Sequence, residues 1–282
     1  MGQVALVTDN SSGIPVALAA QLGIRVVPVD VIVDGVVLPE GDSIDIAQAV
    51  RDGVKVTTSR STPEAFTKEF ESLAIEGCEH VVVATLSSKL SGTFESALVA
   101  ARSSRISVSV CDSLNIGLGL GFPVINAARA AQSGASVARV REVLDKGIES
   151  SKVFFYVNSL EYLKRGGRIS ATSALLGTAL SVKPIMTLVD GQVVLKEKVR
   201  TQAKALTELV RLAVSSAREY EPALIGLQYF GDRSLVDQCA QRIAEELPGS
   251  EVLISEVSPV IGVHAGPGLV GVVVTEQTTY SP

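Results

Sequence analysis

The feature that most constrains this chain is the alternation of short apolar runs with helical patterns in its first half. Val4–Thr8, Val81–Leu86 and Ile106–Cys111 each have the composition of a buried strand, and each is followed by a polar turn. Helices are predicted to begin near Pro15 and at Ser91-Gly92-Thr93. Strands that alternate with helices pair in parallel and are covered on both faces, so a mainly parallel sheet is expected.

Two further segments of the first half carry turn and cap signals. Asp34-Gly35 is a strong turn dipeptide, which predicts a hairpin over Val26–Leu38. Ser43 is predicted to cap a helix that ends at Gly53.

The helices on either side of Val81–Leu86 also have predicted caps and faces. In Ser61-Thr62-Pro63-Glu64, Ser61 is predicted to cap the helix and Glu64 to reach back three residues. In the helix that opens at Ser91, three residues are expected to face inward. They are Phe94, Leu98 and Ala101.

The pattern changes at about Ser150. A hairpin about Asp190-Gly191 and a long helix from about Thr201 to Tyr220 are mixed with further short strands. We therefore predict an α/β chain of two domains, 1–150 with a mainly parallel sheet flanked by helices and 151–282 with a mixed sheet and helices.

Composition excludes several classes of function. The chain has 282 residues, a net charge of −5, two histidines and three cysteines without metal-ligand spacing. A mildly acidic chain does not favour nucleic acid or an anionic membrane, so no nucleic-acid partner and at most transient membrane contact are expected. Neither a signal-peptide pattern nor a disulfide framework is evident, which predicts a cytoplasmic protein with no bound metal.

The sequence also lacks the common catalytic signatures. It has no Gly-Lys dipeptide and therefore no phosphate-binding loop of the Walker type, and it has neither a GxSxG nor an HExxH motif. The glycines of Gly117-Leu118-Gly119-Leu120-Gly121 do not have dinucleotide-binding spacing, and close helix packing explains them better.

Two hydroxyl-rich segments follow predicted strands, Thr57–Ser61 and Ser87–Thr93. Ligands bind beyond the carboxyl ends of strands in open parallel sheets, and hydroxyls with free helix N–H groups suit an anion. The alternative is that these residues only cap helices, and the residues alone leave both open.

A third segment, Val260–Gly268, places His264 among three glycines in a loop predicted between two strands. Small residues allow close approach to a ligand that the imidazole could hydrogen-bond. A tight turn with an incidental histidine is the alternative.

Several motifs in order along the chain resemble those of the DegV family. The two most specific are Leu90-Ser91-Gly92-Thr93 and Lys164-Arg165-Gly166-Gly167-Arg168-Ile169, which are joined by Thr58-Ser59, Asp112-Ser113, Lys183-Pro184-Ile185 and His264-Ala265-Gly266-Pro267-Gly268. The segment Arg60-Ser61-Thr62-Pro63 departs from the family pattern, in which proline often comes sooner.

The resemblance implies a two-domain DegV-like (EDD-type) fold with a lipid in the cleft. Bacterial members of this family include the FakB-type subunits of fatty acid kinase, which serve phospholipid metabolism. Such a subunit is not itself an enzyme and needs no cofactor. It carries a long-chain fatty acid, and a separate kinase subunit uses ATP to convert the carboxylate to an acyl phosphate.

By the same resemblance, individual residues of this chain have expected roles. Thr58 and Ser91 correspond to hydroxyl donors for the carboxylate, supported by the Gly92 N–H and by His264. Arg168 and Arg200 correspond to surface positions that engage the kinase subunit.

Other functions remain open at this point. The chain could be a small-molecule kinase or phosphotransferase of related fold, a lipid sensor or carrier without a kinase, or an interaction module with an empty cleft. Acyl length, oligomeric state and the tail-lining residues are not determined. Six residues are candidates both for the pocket and for ordinary core: Phe94, Phe154, Phe155, Ile185, Leu188 and Ile261.

Overall fold

The computed structural model describes residues 4–39, 44–169, 182–220 and 222–278. Strands and helices are numbered here in chain order within those ranges. Strands β1 to β13 are Val4–Asp9, Arg25–Val27, Val31–Val33, Val36–Val37, Val56–Thr58, His80–Thr85, Ser107–Asp112, Lys152–Tyr156, Lys183–Val189, Gln192–Val199, Ala223–Tyr229, Val252–Glu256 and Val270–Glu276. Helices α1 to α10 are Val16–Leu22, Ile46–Arg51, Pro63–Ile75, Thr93–Arg102, Leu118–Gln132, Val137–Ser150, Glu161–Arg165, Gln202–Ala217, Ser234–Glu246 and Pro259–Ala265.

The described strands form three sheets. The first has the order β2-β1-β6-β7 and is entirely parallel. The second has the order β10-β9-β8-β13-β11-β12, in which only β11 and β12 pair in parallel. A small antiparallel sheet has the order β4-β3-β5. The predicted α/β class, with a parallel sheet followed by a mixed one, is confirmed.

The helices and the two large sheets stack in layers. Helices α3 and α4 cover one face of the parallel sheet, through a core that includes Phe66, Phe70 and Ala97. Helices α8 and α9 cover the far face of the mixed sheet. Helices α5 and α6 lie between the sheets and contact strands of both. Because these two helices share a core with both sheets, the division into domains 1–150 and 151–282 stays a prediction.

Strand alternation decides which residues of the mixed sheet face the middle of the molecule. In β8, Phe154 and Tyr156 pack in the core formed with α8, whereas Val153 and Phe155 belong to the core between the sheets. This inner face of the mixed sheet later forms one wall of the site.

The hairpin predicted over Val26–Leu38 is partly right. The turn at Asp34 and Gly35 joins β3 to β4 as expected. The residues Arg25–Val27, however, pair in parallel with β1 as an edge strand of the first sheet. The break between β2 and β3 falls at Pro28 and Asp30, two residues that interrupt a strand and that the prediction passed over because valines surround them.

Two predicted helix caps also differ. Helix α2 is capped by Asp45, whose side chain accepts from the N–H of Gln48, and Ser43 lies outside the described residues. Helix α3 is capped by Thr62, not by Ser61. The hydroxyl of Ser61 instead donates to the carbonyl of Pro28 at 2.7 Å, which leaves the next hydroxyl to cap the helix.

The inward face of α4 differs from the predicted one. Phe94, Leu98 and Ala101 are only half-buried. The buried face is made of smaller side chains, namely Thr93, Ser96, Ala97 and Ala100. Small residues allow α4 to pack closely against β6, β7 and α3, so size rather than hydropathy set the orientation.

None of the described helices is both long and apolar enough to span a bilayer. The described residues also contain no cluster of His, Cys, Asp or Glu arranged to bind a metal.

Candidate functional site

A cavity of about 840 Å³, measured with its open mouth, lies between the parallel sheet and the mixed sheet. Leu86 and Leu90 after β6 and Ile116 after β7 line one side, and Val153 and Phe155 of β8 line the other. The cavity therefore lies beyond the carboxyl ends of the parallel strands, where open α/β sheets hold their ligands.

Most of the cavity wall is apolar. Besides the residues above, it is lined by Val29, Leu163, Val193, Val257, Val260, Ile261, Ala265, Leu269 and Val273. A concave site with so few polar groups in its wall has the character of a site for an apolar small molecule.

Two of the six candidate tail residues, Phe155 and Ile261, line this cavity. Phe154 and Ile185 lie on the opposite face of the mixed sheet, in the core with α8. Phe94 and Leu188 are half-buried and do not belong to the described lining.

One polar corner interrupts the apolar wall. Thr58 ends β5, His264 lies in the last turn of α10, and both line the cavity. Their Oγ1 and Nε2 atoms are hydrogen-bonded at 2.7 Å. The sequence predicted a loop for His264, but Pro259 begins a helix there and Gly266, with a φ of 83°, ends it.

The His264 ring is packed and uncharged. A β-carbon on Gly166 would lie 2.3 Å from its Nδ1 atom, so the absence of a side chain at residue 166 makes room for the ring. Burial, and secondarily the positive charge of Arg168, lowers the pKa of His264 to about 4. At neutral pH the imidazole is therefore neutral and donates through one nitrogen only.

Ser91 brings a second hydroxyl to the same cavity. Its Oγ lies 3.0 Å from Oγ1 of Thr93, in the first turn of α4. Gly92 follows as the N-cap of α4. The side chain of Arg60 lies against Gly92, because a β-carbon there would be 2.8 Å from Arg60 Nη1. Arg60 belongs to the segment that departs from the family pattern, and its exposed guanidinium lies beside the start of α4.

Arg168 lies at the cavity wall rather than simply on the surface. It is half-buried, its Nε donates to the Leu90 carbonyl at 3.1 Å, and its Nη1 donates to the Gly166 carbonyl. Burial lowers the pKa of this guanidinium. Arg200, in contrast, is exposed just after β10.

Gln228 is a lining residue that sequence reasoning missed. It is 4% exposed, and its Oε1 accepts from the Leu118 N–H at 2.9 Å, so it caps α5 from the mixed sheet. The available signal was a lone amide in the otherwise apolar strand Ala223–Tyr229. A buried amide needs partners, which marks such a position as structurally or functionally engaged.

The geometry suits an amphipathic ligand. Hydroxyls of Thr58 and Ser91, the imidazole of His264 and the guanidinium of Arg168 line one apolar cavity. The hydroxyls and the imidazole could supply hydrogen-bond donors for an anionic head, and the apolar remainder of the wall could hold an apolar body.

Comparison with known proteins shows which family this chain belongs to. A model for the DegV family, described as a family of uncharacterised proteins, matches residues 3–277. This chain belongs to the DegV family. A DegV domain-containing protein of Streptomyces coelicolor is 38% identical over 278 residues, which cover 97% of this chain and 99% of that one.

Solved structures of DegV proteins share the fold over nearly all of this chain. A DegV family protein from Thermus thermophilus, described for its fatty acid binding, is 35% identical with a TM-score of 0.91 and covers 98% of this chain and 100% of its own. DegV of Bacillus subtilis, described as a fatty acid binding protein, is 26% identical with a TM-score of 0.89 and the same coverage.

Proposed function

We propose that this DegV protein binds one long-chain fatty acid in the cavity and presents the carboxylate to a separate kinase subunit for acyl phosphate formation. The observation that carries the proposal is the Thr58–His264 hydrogen bond of 2.7 Å in the wall of an otherwise apolar cavity. The fatty acid binding described for the relatives from Thermus thermophilus and Bacillus subtilis supports it.

The tail of a fatty acid matches the apolar wall energetically. Each methylene removed from water contributes about 0.8 kcal/mol, so about fifteen contribute on the order of 12 kcal/mol. Loss of ligand and side-chain freedom offsets part of this gain. The tail is therefore proposed to supply most of the favourable free energy of binding.

The head group needs donors because an isolated carboxylate is costly in an apolar medium. Thr58 and Ser91, which line the cavity, and the Gly92 N–H are proposed to supply them. Neutral His264 is proposed to support the site by donating from Nε2 to the Thr58 hydroxyl, which leaves the hydroxyl proton for the carboxylate. Uncharged donors stabilise the anion without the full charge neutralisation that a close ion pair would bring. The carboxylate then keeps its reactivity toward a phosphoryl donor.

Arg168 and Arg200 are proposed as contacts for the kinase subunit. Two of the guanidinium nitrogens of Arg168, Nε and Nη1, are engaged by backbone carbonyls, and its half-exposed position leaves the remaining donors able to face an incoming phosphate. The exposed Arg200 adds positive charge on the same chain. The ATP site is assigned to the partner, since this chain has no Gly-Lys dipeptide.

Reconstitution tests the kinase-subunit role. The purified chain loaded with palmitate, mixed with a fatty acid kinase subunit and ATP, is expected to give acyl phosphate, trapped as the hydroxamate. The chain alone with ATP is expected to give none. Acyl phosphate, or phosphorylation of a small polyol, by the isolated chain would instead favour a self-sufficient kinase.

A further inference from the structure

Strand β13 is one of the two middle strands of the mixed sheet, and its alternate residues face the cavity. In β13 and the residue before it, Leu269, Gly271 and Val273 line the cavity, whereas Val272 packs in the core with α8. The Cα atoms of Leu269 and Val273 are separated by roughly 13 Å along the strand. This row of alternate residues forms one wall of the cavity between its two ends.

The middle member of that row is a glycine, which a central strand does not ordinarily favour. A strand glycine marks a β-bulge, a close backbone approach or a close ligand. No bulge is present, because Gly271 pairs in unbroken register with Gln228 of β11 and Phe155 of β8. Its φ is also outside the positive region that would require glycine.

Crowding by neighbouring protein atoms does not explain the glycine either. The nearest atoms to a β-carbon built on Gly271 are Gln228 Cβ at 3.6 Å, the Gln228 carbonyl oxygen at 3.8 Å and the Phe154 carbonyl oxygen at 3.9 Å. These are ordinary contacts with flanking strands. Gly226 on β11 differs, because a β-carbon there would meet Leu118 Cδ1 at 2.6 Å and Phe122 Cε2 at 2.9 Å.

We propose that Gly271 is the residue over which the acyl chain passes, and that its missing side chain sets the length of chain the cavity accepts. The ligand class follows from the proposed function, on which this inference rests. The head lies at His264, five residues before Leu269, and the chain runs along β13 toward Val273. A side chain at position 271 would stand across that path.

A graded series at this position tests the proposal. Gly271→Ala, Gly271→Val and Gly271→Leu are compared for binding of lauric, palmitic and stearic acids by titration calorimetry. Each methylene that a side chain excludes from the cavity weakens binding about fourfold. Gly271→Leu is expected to exclude about three methylenes of palmitate, which weakens its binding on the order of 60-fold, and at most one of the shorter laurate, which weakens its binding by about fourfold or less.

The control is Val272→Leu, which adds a carbon to the same strand on the face away from the cavity. It is expected to leave the preference for chain length unchanged, and thermal unfolding checks that each variant is folded. If folded Gly271→Leu keeps the wild-type preference, the role of Gly271 is overturned while fatty acid binding stands. If the wild-type chain binds none of the three acids, the proposed function itself is wrong, and the inference about Gly271 is overturned with it.

Discussion

Thr58 and His264 lie 206 residues apart in the chain and share a hydrogen bond of 2.7 Å. Thr58 ends a strand of the small antiparallel sheet, and His264 lies in the helix that precedes the last described strand. The contact therefore depends on how the first and last quarters of the chain pack together. Its position in an apolar cavity makes it the centre of the proposed head-group site.

Removal of the two hydroxyls is expected to weaken fatty acid binding without unfolding the protein. Thr58→Val and Ser91→Ala each delete a donor to an anion, and such hydrogen bonds contribute about 1.5–3 kcal/mol. Each single variant should lose about tenfold or more in affinity by titration calorimetry.

The matched control is Thr57→Val, because Thr57 is the exposed neighbour of Thr58 on the same strand and is not part of the cavity lining. It should bind like the wild type. Wild-type affinity in the Thr58→Val/Ser91→Ala double variant would remove the head-group assignment.

Gly166 is predicted to position His264. In Gly166→Ala, the new β-carbon would lie 2.3 Å from His264 Nδ1, so the ring must move and its bond to Thr58 must weaken. Affinity should fall as far as in His264→Ala, measured by the same titration.

Gly167→Ala serves as the control for this pair of glycines. Gly167 has a φ of 70° and no atom within 4 Å of a built β-carbon, so the change costs about 1 kcal/mol of backbone strain and nothing at the ring. If Gly166→Ala and Gly167→Ala lost affinity equally, the role of Gly166 in positioning His264 would be wrong.

Stability should depend on pH through His264. Its pKa is about 4 in the folded protein and near 6.5 when unfolded, so the unfolded chain takes up the proton first. The free energy of unfolding should therefore fall as the pH is lowered from 6.5 toward 4.

His264→Gln should flatten that dependence by up to about 1.4 kcal/mol per pH unit, measured by urea unfolding of the ligand-free protein. His80, whose pKa burial also lowers, is present in both proteins and contributes equally. Parallel curves for the wild type and the variant would show that His264 is not held neutral by its surroundings.

Arg168→Ala and Arg200→Ala are expected to keep bound fatty acid but to lower acyl phosphate formation with the kinase subunit by roughly tenfold, because charges at an interface rim act mainly on association. Arg218→Ala is the control, since Arg218 is an exposed arginine with one exposed ion pair. If Arg168→Ala abolished lipid binding, its role would be in the head-group site instead.

The sequence predicted much of the fold because strand and helix periodicity is local. The alternation from Val4 to Cys111 and the Asp190-Gly191 turn needed no tertiary information. The choice between Ser61 and Thr62 as cap could not be predicted, because it depends on the carbonyl of Pro28, 33 positions away in the chain. The same holds for the buried face of α4, which close packing on β6 and β7 selects.

The site was predictable in its residue types and not in its geometry. Thr58, Ser91 and His264 stood out by composition and by family resemblance, and the structure places all three at one cavity. The helical setting of His264, the half-buried position of Arg168 and the open wall at Gly271 each depend on packing between distant segments. Such contacts leave no periodic trace in the sequence.

The most direct test of fatty acid binding at Thr58 and Ser91 is native mass spectrometry of the purified wild-type chain and of the Thr58→Val/Ser91→Ala variant. We expect the wild-type chain to carry a single long-chain fatty acid in one-to-one ratio and the folded double variant to carry much less. A wild-type chain that stays ligand-free even after incubation with excess palmitate would contradict it.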